Sequence, residues 1–135
     1  MNNKTELTNL IKRLSPVLNN GEYVFCTVND PKEIERKDTI CEFQEEEGTT
    51  LILEKDKADK LGLSYEFIAS WITLKVHSSL EAVGLTAVFS GELARQNISC
   101  NVIAGYYHDH IFVHSRDRKK AMEALKALSK RHDTT

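Results

Sequence analysis

The sequence predicts an α+β protein built of two successive split βαβ units, with antiparallel sheets and helices packed on one face. Short runs of β-branched and aromatic residues alternate with amphipathic stretches in the order α, β-α-β-β-α, β-α-β-β-α. The run 66–76 is apolar on both faces over its first half, as a strand covered on both sides requires. Leu51–Asp56 is echoed about 60 residues later by Ile111–Arg116, in each case a strand running into a charged helix. The expected division is 1–64, an N-terminal helix plus the first unit, and 65–135, the second unit.

Leu7, Leu10, Ile11 and Leu14 form the stripe of a short amphipathic helix. Ser15-Pro16 ends it, because the proline ring disfavours helical geometry in the residue before it. Asn19-Asn20-Gly21 reads as a turn and Glu22–Val28 as a strand. Asp30-Pro31-Lys32-Glu33 has the residues of a helix start: a side-chain cap, a proline suited to the first position and a glutamate that reaches back. That helix must be short, since Lys37-Asp38 follows. Strands are expected over 40–44 and 50–53 with a turn around Gly48, then a brief helix over 55–61 stopped by Gly62. In the strand over 66–76, Ile68, Ile72, Leu74 and Val76 share one face, and Phe67, Ala69 and Trp71 the other. Leu85, Val88, Phe89 and Leu93 mark another helix. Strands at 98–104 and 109–114 follow, joined tightly through Gly105–His108. A last helix from about Asp117 turns Ala121, Met122, Leu125 and Leu128 inward.

Composition narrows the function classes. With 41% hydrophobic and 28% charged residues the chain is an ordinary globular one, long enough to bury a core without disulfide or metal staples. A net charge of −2 argues against a nucleic-acid partner, and the basic residues of the C-terminal stretch read as a solvated helix face. No run of about 18 apolar residues exists, so no membrane span is expected. The opening six residues lack the apolar core of a signal peptide, which points to the cytoplasm. Cys26, Cys41 and Cys100 form no CxxC pair and read as small buried hydrophobes.

Three segments, Trp71–Leu74, His77–Thr86 and Ile98–Val113, resemble the ACT-domain superfamily, in particular a small bacterial family of tandem ACT-domain proteins. The resemblance implies ferredoxin-like units and sensing of an amino acid or related metabolite at an interface between ACT units. It also implies that the ligand meets the loop from a unit's first strand to its first helix, here Ser78–Leu85. A complete unit of this kind ends in a fourth strand, and nothing strand-like follows Arg131. The edge is expected to be filled by the strand near Tyr23 or by a second chain.

The candidate ligand-binding residues are Ser78, Ser79, Val83, Gly84, Leu85, Thr86, Asn101 and Ile103. Free amides at a helix N-terminus favour a carboxylate, Gly84 permits close approach, and the two serines offer hydroxyls. The alternative is structural: Ser78 with Glu81 forms a capping box and Gly84 only turns the chain. Asn101 and Ile103 share the strand face expected beside this loop, where Asn101 offers both a donor and an acceptor. It is equally readable as a solvent-facing strand residue.

His108, His110 and His114 can place imidazoles together at a hairpin, but no carboxylate–His–metal spacing accompanies them, and neither metal nor cofactor is expected. Trp71, Tyr106 and Tyr107 lack the interleaved basic residues of an RNA-binding sheet. There is no phosphate-cradling glycine loop, nucleophile elbow or HExxH helix, so no enzyme is expected. Unpaired sheet edges point to a homo-oligomer. The competing reading is an adaptor that pairs with other chains without any ligand, and a His-cluster metal protein is the third.

Overall fold

A computed structural model of the chain describes residues 3–76 and 80–133. In chain order the elements are α1 (Asn3–Arg13), β1 (Ser15–Leu18), β2 (Tyr23–Val28), β3 (Cys41–Gln44), β4 (Thr49–Glu54), α2 (Lys55–Lys60), β5 (Ile68–Lys75), α3 (Leu85–Arg95), β6 (Asn101–Ala104), β7 (Asp109–His114) and α4 (Arg118–Asp133). Two compact units result: Asn20–Ser70, and Met1–Asn19 with Trp71–Thr135.

In the unit Asn20–Ser70 the strands run in the order β3-β4-β2-β5, all antiparallel. Alternation along β2 and β4 turns Val24, Cys26, Leu51 and Leu53 toward Ala58 of α2, and these five form its core. The helix expected from Asp30 is reduced to two 3-10 turns, Pro31–Glu33 and Arg36–Asp38. The Asp30 cap forms as expected, its Oδ1 accepting from Lys32 N at 3.0 Å. Propagation fails because Ile34 is the sole apolar residue between Asp30 and Asp38, so a helix there has no stripe to bury.

The other unit carries the order β1-β5-β7-β6. Helices α1, α3 and α4 cover one face of this sheet, where Ile72, Leu74, Ile111 and Val113 meet Ile11, Leu14, Phe89, Leu93, Leu125 and Leu128. The apolar stripes read from the sequence for α1, α3 and α4 supply these contacts. Asn97, at φ 61°, ends α3, and the Ile98 amide bonds back to Leu93 O at 3.0 Å.

Both units follow one rule: the first strand lies between the third and the fourth, and the second is at an edge. Residues 68–69 of β5 pair with β2 as a fourth strand, and residues 72–75 pair with β1 as a first strand. The missing fourth strand of the C-terminal unit is β1, aligned antiparallel from Ser15↔Lys75 to Leu18↔Ile72. Neither the strand near Tyr23 nor a second chain is needed for it. Pro16 ends the helix as predicted, yet it does not prevent a strand, because among the described residues β1 pairs with β5 alone and leaves an outer side where no amide is needed. Helix α1 therefore packs with the C-terminal unit, on which the Ser129 hydroxyl of α4 donates to Lys12 O at 2.9 Å.

Glu92 ties α3 to α4. The carboxylate is buried, and its Oε1 accepts from Arg95 at 2.9 Å and from Arg131 of α4. The Arg95 bond foremost, joined by Arg131, holds the carboxyl below its ordinary 4.5 against the opposing effect of burial. A depressed folded value means the stabilisation is complete above the unfolded value and is lost as pH falls through the folded one. Glu92→Gln is expected to cost about 1–2 kcal/mol at pH 7 by chemical denaturation, and progressively less below pH 4.5. A deficit that stays constant over that range would show that the charge is not what matters.

Candidate functional site

Val76, just past β5, is buried, and Gly84 is the cap residue of α3. Gly84 sits at φ +98° as the cap residue and supplies no side-chain hydrogen bond. The first intrahelical bond, Val88 N to Gly84 O at 3.0 Å, leaves the amides of Leu85, Thr86 and Ala87 ahead of the helical ladder. The close neighbour of Gly84 is Leu7 of α1: a Cβ at Gly84 would stand 3.0 Å from Leu7 Cδ2. Its small size thus serves packing and a left-handed backbone.

The opposing wall is the turn between β6 and β7. The Gly105 amide donates to His108 O at 2.9 Å, and a Cβ on Gly105 would come within 2.8 Å of that oxygen and 3.2 Å of the His110 ring. Only glycine closes this turn without moving the backbone. Tyr106 and Tyr107 at its tip are 82% and 73% exposed, with their rings edge to face at 5.1 Å.

Between loop and turn lies a cleft of about 80 Å³, lined by Leu80, Ala82, Leu85 and Thr86 on one side and Ala104, Gly105, Tyr107, His108 and Asp109 on the other. That volume is roughly two or three waters, room for the polar end of a small molecule. Burial pushes the Asp109 carboxyl above the ordinary aspartate range, and His110 pulls it partly back.

Behind the turn, His110 belongs to a polar network on the sheet face away from the helices. Trp71 Nε1, which can only donate, bonds to His110 Nδ1 at 3.0 Å, and Thr73 Oγ1 lies 3.2 Å from the same nitrogen. Asn19 Nδ2 holds Thr73 Oγ1 at 3.0 Å and Trp71 O at 3.2 Å. Nδ1 must therefore be an acceptor, and His110 is the neutral tautomer protonated on Nε2. Burial foremost, and then neighbouring His108, lower its pKa. Trp71 also stacks on Phe112, ring centroids 6.1 Å apart, so it is a packing residue.

Of the eight sequence-predicted site residues, Leu85 and Thr86 line the cleft and Gly84 caps the helix beneath it. Val83 is 78% exposed beside it. Asn101 and Ile103 lie on β6 and do not line it; Asn101 Nδ2 instead reaches Phe112 O at 3.4 Å. Ser78 and Ser79 fall outside the described residues. The turn residues Ala104, Gly105, Tyr107, His108 and Asp109 were missed as a wall. Their signal was Gly105 followed by four polar or aromatic residues, which reads as a tight connection and was weighed for metal binding and base stacking. The three histidines separate: His108 lines the cleft, His110 joins Trp71, and His114 Nδ1 accepts from Arg116 N at 3.2 Å to cap the turn before α4. Among the described residues, no group of three or more His, Cys, Asp or Glu could hold a metal ion. Burial raises all three thiols, Cys100 to about 11, which keeps them protonated and unreactive near neutral pH.

The repeated strand order and a cleft at a strand-to-helix loop define a tandem ferredoxin-like protein. Family models described as ACT domain match residues 3–70 and 66–127, and the chain belongs to the ACT-domain family of regulatory domains. A Vibrio cholerae protein of unknown function, described as a possible transport protein, is 47% identical and superposes with a TM-score of 0.85, covering 95% of this chain and 99% of its own. An Agrobacterium tumefaciens protein shares the fold at 15% identity and a TM-score of 0.72, over 87% of this chain and 90% of its own. So does the regulatory subunit of aspartate kinase from Thermus thermophilus, at 8% identity and 0.58, over 84% and 95%. No curated protein sequence matches the chain. No helix among the described residues is long and apolar enough to cross a membrane.

Gly84→Ala is expected to cost about 1–2 kcal/mol in urea denaturation, from the left-handed backbone alone. Leu7 packs against the core, so the comparison is with Leu7→Ala alone: in that background the steric contact is gone, and Gly84→Ala should still cost stability through the backbone strain.

Proposed function

We propose that the chain is a regulatory small-molecule-binding protein that senses an amino acid or related metabolite in the cleft ahead of α3. The observation that carries this reading is the pairing, across one small cleft, of a helix start whose cap residue, Gly84, has no side chain and a partly buried carboxyl. A ligand carboxylate suits the Leu85–Ala87 amides and the positive end of the α3 dipole. Its ammonium suits Asp109, and Thr86, which also lines the cleft, carries a hydroxyl that can donate or accept. Ser78 and Ser79 are proposed to add hydroxyls on the loop side, with Val83 at the rim and Asn101 and Ile103 on the strand leading to the opposite wall.

The cleft admits only the polar end of such a ligand, so its side chain would project past Leu80 and Tyr107. Leu80, Val83, Tyr106 and Tyr107 are all exposed large residues on the loop and turn that bound the cleft. A second copy of the chain closing over them is proposed to complete the site, which makes ligand binding and dimer stability mutually dependent. The family's regulatory character supports a binding role over catalysis, and a cytoplasmic setting fits a metabolite sensor. An adaptor without ligand is the second reading, favoured by the small cleft volume.

Calorimetry and thermal-shift measurements across the common amino acids test the proposal. At a concentration one hundred times Kd, a true ligand adds about 2.7 kcal/mol to stability. Asp109→Asn should weaken it about tenfold. Because the ammonium favours the ionised carboxyl, affinity in the wild type should fall as acid protonates Asp109, and the variant should lose that dependence. A folded protein indifferent to the whole panel would leave the adaptor reading in its place.

A further inference from the structure

A second cavity, of about 400 Å³, lies wholly within the unit Asn20–Ser70, at the end of β2 and beside the segment that follows α2. This is within the size range of small-molecule sites, about 300–1,000 Å³. Val28, Ile34 and Leu63 form its apolar wall, and each packs against that unit's core. Leu61 adds a half-exposed apolar edge.

Its polar rim has one sign. The exposed carboxylates Asp30 and Glu33 line the cavity beside the neutral amide of Asn29, and no Lys or Arg does. Four other acids of this unit, Glu35, Asp38, Glu42 and Asp59, each have a basic side chain within 4.0 Å. Among the described residues, no such partner meets Asp30 or Glu33. The Asp30 carboxylate is also held in place, because its Oδ1 accepts from Lys32 N at 3.0 Å and its other oxygen is left over. The segment here is a three-residue 3-10 turn, so no aligned helix dipole offsets the two negative charges.

We propose that this cavity binds a primary amine with a short branched or unbranched hydrocarbon body and no carboxylate. The ammonium sits between Asp30 and Glu33, and the hydrocarbon covers Val28, Ile34 and Leu63. A carboxylate on the same ligand would face two like charges with only the uncharged amide of Asn29 as a side-chain donor, so amino acids bind more weakly than the amine. The lining residues are distinct from those of the cleft ahead of α3, which is proposed to take a carboxylate as well as an ammonium.

Three probes of one shape separate the charges: 3-methylbutylamine, leucine and 4-methylpentanoate. Titrated into the full chain and followed by amide chemical shifts, the amine is expected to move Val28–Ile34 and Leu61–Leu63. The carboxylate should leave these signals in place, and leucine should move them at least about tenfold more weakly than the amine. The double variant D30N/E33Q keeps the Asx cap, since asparagine oxygen still accepts from Lys32 N, and its melting curve reports that the fold is intact. It should weaken the amine about tenfold. Failure of the amine to shift these residues at millimolar concentration overturns the proposal. So does equal binding of 4-methylpentanoate, or an amine affinity unchanged in the folded double variant. Shifts at Leu85, Thr86 and Asp109 report on the other cleft and leave this outcome distinct.

Discussion

The pairing of four edge residues with β5 is the interaction on which the C-terminal unit depends. Without Ser15–Leu18 against residues 72–75, that unit would have three strands and an open edge beside its most central strand. The same pairing carries α1 onto the helix face, where Ile11 and Leu14 complete the core and Leu7 reaches Gly84. One short strand thus closes a sheet, places a helix and seats the residue that starts α3.

The candidate cleft inherits its shape from that arrangement and from two glycines with different reasons. Gly84 is required by a left-handed backbone and by Leu7 above it. Gly105 is required by the carbonyl of His108 and the ring of His110. His110 in turn is held neutral by a tryptophan that can only donate, which sets the face of β7 that looks away from the helices. Asp109, the adjacent residue on the opposite face of the strand, is left to the cleft.

The two clefts differ in chemistry although they stand at comparable points of the repeat. In one unit the first strand leads to an 11-residue helix whose leading amides favour an anion. In the other it leads to a three-residue 3-10 turn bordered by Asp30 and Glu33, where the field has the opposite sign. Loss of the helix in the first unit is therefore a change of electrostatics as well as of secondary structure. It follows from Ile34 having no apolar companions.

The sequence by itself determined whatever depends on local periodicity. The stripes of α1, α3 and α4, the two-faced apolar pattern of β5, the Asp30 cap and the repeated element order all follow from neighbours a few residues apart. The resemblance carried by Trp71–Val113 added the family. Tertiary structure alone decided the rest, because those contacts join distant residues whose local signals are ambiguous. Ser-Pro correctly marks a helix end, but whether the next residues form a strand depends on β5, more than fifty residues away. The wall opposite α3 is likewise a matter of how β6 and β7 turn: Asn101 and Ile103 carry suitable chemistry, yet it is Ala104, Gly105, Tyr107, His108 and Asp109 that reach the cleft, because the turn rather than the strand faces the helix start.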